Sequence, residues 1–308
     1  MAALVRVILS GRLAASLVAA ALFLITLLVP VVGGVAALAA AAPAAVIAWH
    51  VGGRGLVEVG LIGAALIGLA TWQWLAPVFW LVALWAPVGA GALVLRRGPL
   101  FAPVGLGMVL AILGGLGIWT ALLGGDPQAL VQERVAEALR SLVTSQAPQE
   151  EAGRVMEELR RDAIPTLGRF LPGIVGAGIL LTWWVNVLVG LRLAGSVDAL
   201  PELGDSLRSF RLPDSGVWLL VGLGLVTWLA AGTPLGYWAG NGLVVATMLF
   251  LAQGLAVVHA ARLAFGIARG WLVLFYVLIG LFLQVVVAVI LLGLADVWAD
   301  FRSKIKTT

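Results

Sequence analysis

The chain has 308 residues, 62% of them hydrophobic and only 11% charged, and its mean hydropathy is +1.10. A soluble domain carries about 45–50% apolar and about 25% charged residues, so a soluble globular enzyme and a disordered chain are both excluded and lipid must solvate most of this surface. There is no cysteine, which removes disulfides, thiol catalysis and thiolate metal sites, and the net charge of +4 belongs to Arg-bearing loops with no aromatic-interleaved basic stretch for nucleic acid.

Long apolar runs without period-two alternation predict an all-α, polytopic membrane bundle and not an outer-membrane barrel. Nine candidate spans follow in chain order: Leu13–Val29, Val31–Trp49, Leu56–Trp72, Ala76–Leu95, Leu100–Leu123, Leu167–Leu191, Gly216–Ala231, Leu235–His259 and Trp271–Leu294. The first follows Arg6 and Arg12 as a secretory signal would, but its 17-residue run is long for one and a second span follows at once, so it is expected to be retained.

With the N-terminus cytoplasmic, three outward connections hold Pro30, Trp72-Gln73-Trp74 and Gly232-Thr233-Pro234, with no charge. The inward ones carry Arg54, then Arg96 and Arg97, then Arg192, Arg208 and Arg211, then Arg262 and Arg269. That is the positive-inside pattern of a multi-pass inner-membrane protein. Nine crossings break it at the end, since they leave Arg302, Lys304 and Lys306 outside; Gly216–Ala231, only 16 residues long, reads either as a crossing or as re-entrant. Glu58 is expected to pair with Arg54, one helical turn away. Trp49, Trp72, Trp74, Trp119, Trp218, Trp238, Trp271 and Trp298 fall near span ends as an interfacial belt, while Trp183 and Trp184 lie deeper, as packing side chains or against lipid.

Residues 126–165 interrupt the apolar pattern and divide the chain into 1–125, 126–165 and 166–308. Asp126-Pro127 makes a helix start with Asp at the N-cap and Pro at the first position. Val131, Val135, Leu139 and Leu142 then recur at helical spacing, Pro148 marks a turn, and Ala152, Val155, Met156, Leu159 and Ala163 form a second stripe ending at Ile164-Pro165. The segment reads as an extramembrane helical hairpin. Its stripes either cover a cavity or hold a partner, or else pack on each other or on the bilayer.

Motifs for chemistry are missing. The two histidines, His50 and His259, cannot form HExxH or a His-based metal cluster, no GxSxG elbow occurs, and neither lysine follows a glycine as a phosphate loop requires. No enzyme activity, cofactor or metal is therefore expected. Asp296 and Asp300 lie one turn apart and are expected to be solvated or paired with Arg302.

Late in the chain stand Phe210-Arg211-Leu212-Pro213 and Trp218, then Asn241, then Gln253-Gly254-Leu255-Ala256-Val257-Val258-His259, and finally Gly293 to Arg302 around Asp296. This set, in this order, resembles the YybS-like bacterial membrane proteins, the domain-of-unknown-function family 2232. That family has no assigned activity and is distantly similar to the substrate-binding membrane subunits of energy-coupling-factor transporters. The resemblance therefore implies a protein that binds a small molecule on its outer side and docks on a separate energising partner, and it assigns no residue a catalytic role. Within the late set, Asn241 and His259 are 18 residues, or about 27 Å, apart along one helix, too far to hold one small ligand. Gln253 is the deepest, with Gln284 as its expected partner, and the pair is either polar glue or part of a binding site. Gly240 and Gly242 beside Asn241 are expected to unwind the helix there. Two functions follow: non-enzymatic binding or transport of a small molecule, or envelope scaffolding through the 126–165 hairpin.

Overall fold

The computed structural model describes residues 1–28, 36–98, 100–146, 149–197 and 210–304. Pro30, Val31, Pro148, Arg208 and Lys306 lie outside the described residues. Thirteen helices of five or more residues order the discussion, with no strand among the described residues. They are α1 (Ala2–Leu9), α2 (Arg12–Leu28), α3 (Ala42–His50), α4 (Gly53–Thr71), α5 (Leu75–Leu95), α6 (Phe101–Leu123) and α7 (Pro127–Gln146). Then come α8 (Gln149–Glu158), α9 (Ile164–Ala194), α10 (Ser215–Leu229), α11 (Pro234–Ala264), α12 (Arg269–Leu281) and α13 (Leu283–Ala299).

Among the described residues, five helices are long and apolar enough to cross a membrane: Gly53–Thr71, Leu75–Leu95, Phe101–Ile118, Gly153–Ala194 and Pro234–Ala264. With the bent α12–α13 pair taken as one span the number is six, so the expected count of nine is not reached among the described residues. The second expected span, 31–49, is represented by α3, whose nine residues cover about 14 Å and are buried from Ala42 to Ala48. The first and seventh are shorter apolar helices, α2 and α10. The last is broken at Phe282, where α12 and α13 bend by 111°.

The chain divides into two compact units, neither continuous in sequence: Met1–Met108 with Ile179–Phe210, and Val109–Gly178 with Arg211–Thr308. Helices α6 and α9 each contribute residues to both units.

In the first unit α2 packs on α4, and the buried Ser16 hydroxyl donates to the Val59 carbonyl at 3.0 Å. Glu58 pairs with Arg54 at 3.1 Å, as expected, and also with Arg12 at 2.6 Å. Glycines on α4 seat two indoles of α5: a methyl at Gly60 would strike Trp85, and one at Gly63 would strike Trp80. The Trp85 indole N–H donates to the Leu56 carbonyl at 2.9 Å. Residues Trp80–Trp85 form a π-turn just before Pro87; the wider turn accommodates a residue that cannot donate and whose ring crowds the preceding carbonyl. Trp183 and Trp184 are packing residues, with Trp184 between the rings of Phe101 and Phe210.

The second unit holds the polar insertion. Its stripes pack on each other through Val131, Val135 and Ile164, with Leu139 and Met156 against them. The hairpin does not end at Pro165: a second π-turn, Leu159–Ala163, absorbs the proline and α8 runs on into α9. Helices α10 and α11 are antiparallel, with Gly236, Gly240 and Gly242 approaching Ala230, Thr227 and Leu223.

The bend at Phe282 settles how the chain ends. Arg211, just before α10, bonds Asp300 at the end of α13 at 3.1 Å. Because α10 opposes α11, the Arg211 end is also the end toward which α11 runs. The α12–α13 pair therefore leaves from that end and returns to it. It has the form of a re-entrant pair, and Arg302, bonded to Asp296, lies at the same end of α13 as the Arg211–Asp300 pair. Where α11 and α13 cross, Gly254 lies against the Val289 carbonyl and Gly293 against that of Phe250, with no room for a Cβ at either.

Candidate functional site

Two buried asparagines use one device. In the second unit, Pro172 removes a donor from α9. In a regular helix the Gly173 N–H would bond to the Arg169 carbonyl, but the Asn241 amide is inserted between them. Its Oδ1 accepts from Gly173 N–H at 2.7 Å, and its Nδ2 donates to the Arg169 carbonyl at 3.1 Å and to its own Tyr237 carbonyl at 2.9 Å. In the first unit Asn186 does the same to the turn before α3. It accepts from Ala41 N–H at 2.7 Å and donates to the carbonyls of Ala37 at 3.0 Å and Thr182 at 2.8 Å. Both side chains are essentially fully buried, and each opened turn is hydrogen-bonded, which makes non-helical backbone tolerable away from water. Helix α11 stays helical through Gly240–Gly242, and the backbone bond that the Asn241 amide bridges lies in α9, itself helical from Ile164 to Ala194.

The turn held by Asn241 presents Arg169 and Phe170 to a cleft of about 330 Å³. The start of α7 adds Asp126 and Gln128, the α10–α11 connection adds Ala231 to Thr233, and the first turns of α11 add Tyr237. Each part is locked locally. Asp126 caps α7, its Oδ1 accepting from Gln128 N–H at 3.1 Å, as the sequence indicated. Thr233 caps α11 by accepting from Gly236 N–H at 3.3 Å. The buried Tyr237 ring forms a wall, and its hydroxyl donates to the Gly168 carbonyl at 2.8 Å. Arg169 lies 5.3 Å from the centre of the Phe170 ring and has no acidic partner among the described residues.

The other late polar residues form a second cluster. Asp296 is fully buried and accepts four hydrogen bonds: Phe301 N–H at 3.0 Å, Gln253 Nε2 at 3.1 Å, and Arg302 at 3.1 and 2.8 Å. Gln253 Oε1 accepts from Leu212 N–H at 2.9 Å. Buried and holding four donors, this carboxylate fastens the end of α13 to α11 and, through Gln253, to the chain before α10. Gln284 is not Gln253's partner; it is exposed beside the bend. His259 meets the Tyr276 hydroxyl at 2.8 Å. The Pro213 carbonyl accepts from Gly216 N–H at 2.7 Å, turning the chain into α10, whose Trp218 is exposed. At Asp300 burial pushes the carboxyl up, but hydrogen bonds from Arg211 and Ser303 and the Arg211 charge outweigh it and hold it below the usual range.

Of the residues singled out in the sequence, Gln253, Asp296, Arg302 and Leu212 thus come together, and Asn241 underlies the cleft. Asn186, Arg169, Tyr237 and Thr233 were not anticipated. The available signals were the i, i+4 spacing of Tyr237 and Asn241 and the lone amide of Asn186 in an apolar run.

Apolar crossing helices, a re-entrant pair and amide-held turns define a polytopic helical membrane protein. The family model described as "Predicted membrane protein (DUF2232)" matches residues 17–297, and the chain belongs to that family. No curated protein and no solved structure matches the chain.

Proposed function

We propose that the protein binds a small molecule in the cleft between Asp126, Arg169, Thr233 and Tyr237, without transforming it, as a binding or transport component. The observation that carries this reading is the lone guanidinium of Arg169 in a concave site whose backbone is held from beneath by Asn241. At about 330 Å³ the cleft lies at the small end of ligand pockets. By the charge pattern of the connections, the Gly232–Pro234 end faces outward from the inner membrane and the Arg211 end faces the cytoplasm. The chain has no phosphate loop, so uphill movement would draw on an ion gradient or a separate energising protein docked at the cytoplasmic end. The scaffold reading has less support, because Val131, Val135, Leu139 and Met156 of the hairpin's stripes are packed inward.

The test is native mass spectrometry of gently extracted protein beside Arg169→Gln. A co-purifying small molecule that disappears in the variant, with thermal stability unchanged, supports the reading. A bound molecule retained equally by Arg169→Gln, or none in either protein, overturns it.

A further inference from the structure

The cleft carries two charges of opposite sign that do not use each other. Asp126 and Arg169 both line it, yet they form no ion pair with one another or with any other described residue. Asp126 commits only Oδ1, to the Gln128 N–H that caps α7, and leaves Oδ2 open. Elsewhere in the chain exposed charges within reach do pair, as in Arg12–Glu58, Arg134–Glu137 and Arg211–Asp300. A purely anionic ligand drawn to Arg169 would meet the Asp126 carboxylate, and a purely cationic one would meet the guanidinium. A molecule bearing both charges satisfies both.

Size narrows the class. At about 30 Å³ per water-sized group, a cleft of about 330 Å³ admits roughly ten such groups. That is the size of a phospholipid headgroup or an amino-acid-like molecule. Thr233 and Gln128 offer neutral polar groups to the portion between the charges. Trp228 and Leu235, both exposed apolar side chains, follow and precede the cleft residues Thr227 and Gly236 in sequence and offer acyl chains a surface.

We infer that the ligand of this cleft is a zwitterion, its phosphate or carboxylate held by Arg169 and its ammonium by Asp126. The inference rests on the binding reading above and names its chemistry. The same charge pair occurs in a zwitterionic lipid headgroup and in a free molecule, and the test separates these sources.

Purified protein is offered dioleoyl phosphatidylethanolamine, dioleoyl phosphatidylglycerol and soluble glycerophosphoethanolamine, with binding read by native mass spectrometry and by thermal shift. Wild type should retain the ethanolamine lipid over the glycerol lipid by about tenfold. Arg169→Gln should lose the ethanolamine lipid by about ten- to a hundredfold, the range of a charge-assisted hydrogen bond. Asp126→Asn keeps an N-cap residue and should abolish or invert the preference. Competition by the soluble headgroup assigns a free molecule as the source; failure to compete assigns the lipid; either upholds the zwitterion. If wild type holds the glycerol lipid as well as the ethanolamine lipid, Asp126→Asn changes nothing and Arg169→Gln loses both, the zwitterion is wrong while the cleft stands. If Arg169→Gln affects none of the probes, the cleft reading fails as well.

Discussion

Removing the Asp296 carboxylate tests the fastening of the re-entrant pair. Asp296→Leu deletes the acceptor of four hydrogen bonds, two of them from the Arg302 guanidinium, which is only 13% exposed. Breaking a buried ion pair from one side costs about 3–5 kcal/mol, because the other charge stays desolvated. Asp296→Asn keeps a neutral acceptor and should cost about 2 kcal/mol, nearer the loss of a hydrogen bond to a charged group. In the double variant Asp296→Leu/Arg302→Leu the desolvated guanidinium is gone as well. Only the Gln253 amide and the Phe301 N–H lose a partner, so the double should be more stable than Asp296→Leu alone by about 1–3 kcal/mol. Reversible unfolding in mixed micelles, followed by tryptophan fluorescence, supplies the three values for a double-mutant cycle. The reasoning fails if Asp296→Leu costs less than about 1 kcal/mol, or if the two losses simply add.

A cysteine at Ser303 should be labelled by an impermeant reagent from the same side as one at Asp214 and from the opposite side to one at Thr233; labelling of Ser303 with Thr233 would mean the α12–α13 pair crosses. Gly254→Ala should destabilise by more than about 2 kcal/mol, since its methyl meets a backbone carbonyl that cannot turn aside, while Gly222→Ala, with open space around it, should be neutral or stabilising by up to about 1 kcal/mol in thermal unfolding. Asn241→Leu leaves the Gly173 N–H and Arg169 carbonyl to close on each other, so ligand retention should fall further than stability does, measured side by side. Asp300 has a lowered pKa in the folded protein, so its tether to Arg211 is present above the ordinary value of 3.8 and lost as pH falls through the lowered one. Proteolysis of the tail should therefore distinguish Asp300→Asn from wild type at neutral pH and cease to do so in strong acid.

The crossing helices were legible because uninterrupted apolar length is a one-dimensional property, and α11 was found nearly to its ends. The break before α3 was less so: Pro43 marks it, but the rest of Ala36 to Ala45 is alanine and one leucine, a composition that favours helix. The amide that fills the turn, Asn186, has no local pattern connecting it there. The bend at Phe282 has no proline, and Gly280 two residues before it is one glycine among many, but the misplaced charge of Arg302 and Lys304 was its signature in the sequence. Arg169 drew no notice because it stands near a charged hairpin; only the fold separates it from the neighbouring acids and sets it against Phe170. Family resemblance put Gln253, Asp296 and Arg302 in one set, but Gln253 was expected against Gln284, and the joining of the three as a fastening is visible only in the fold.

The Asn186 bridge also sets an order of events during synthesis. The Ala41 N–H and its acceptor are 145 residues apart. At about 5–20 residues per second, some 7–30 s of elongation separate the emergence of the turn from that of the amide that opens it. Until then the Ala37 carbonyl and Ala41 N–H can bond each other as a helical turn, while Pro43 already denies the Ala39 carbonyl a helical donor. The arrival of α9 replaces that one backbone bond by two to a side chain. Truncated nascent chains released before Asn186 should therefore hold the Ala37–Ala41 turn closed as helix, up to the kink at Pro43.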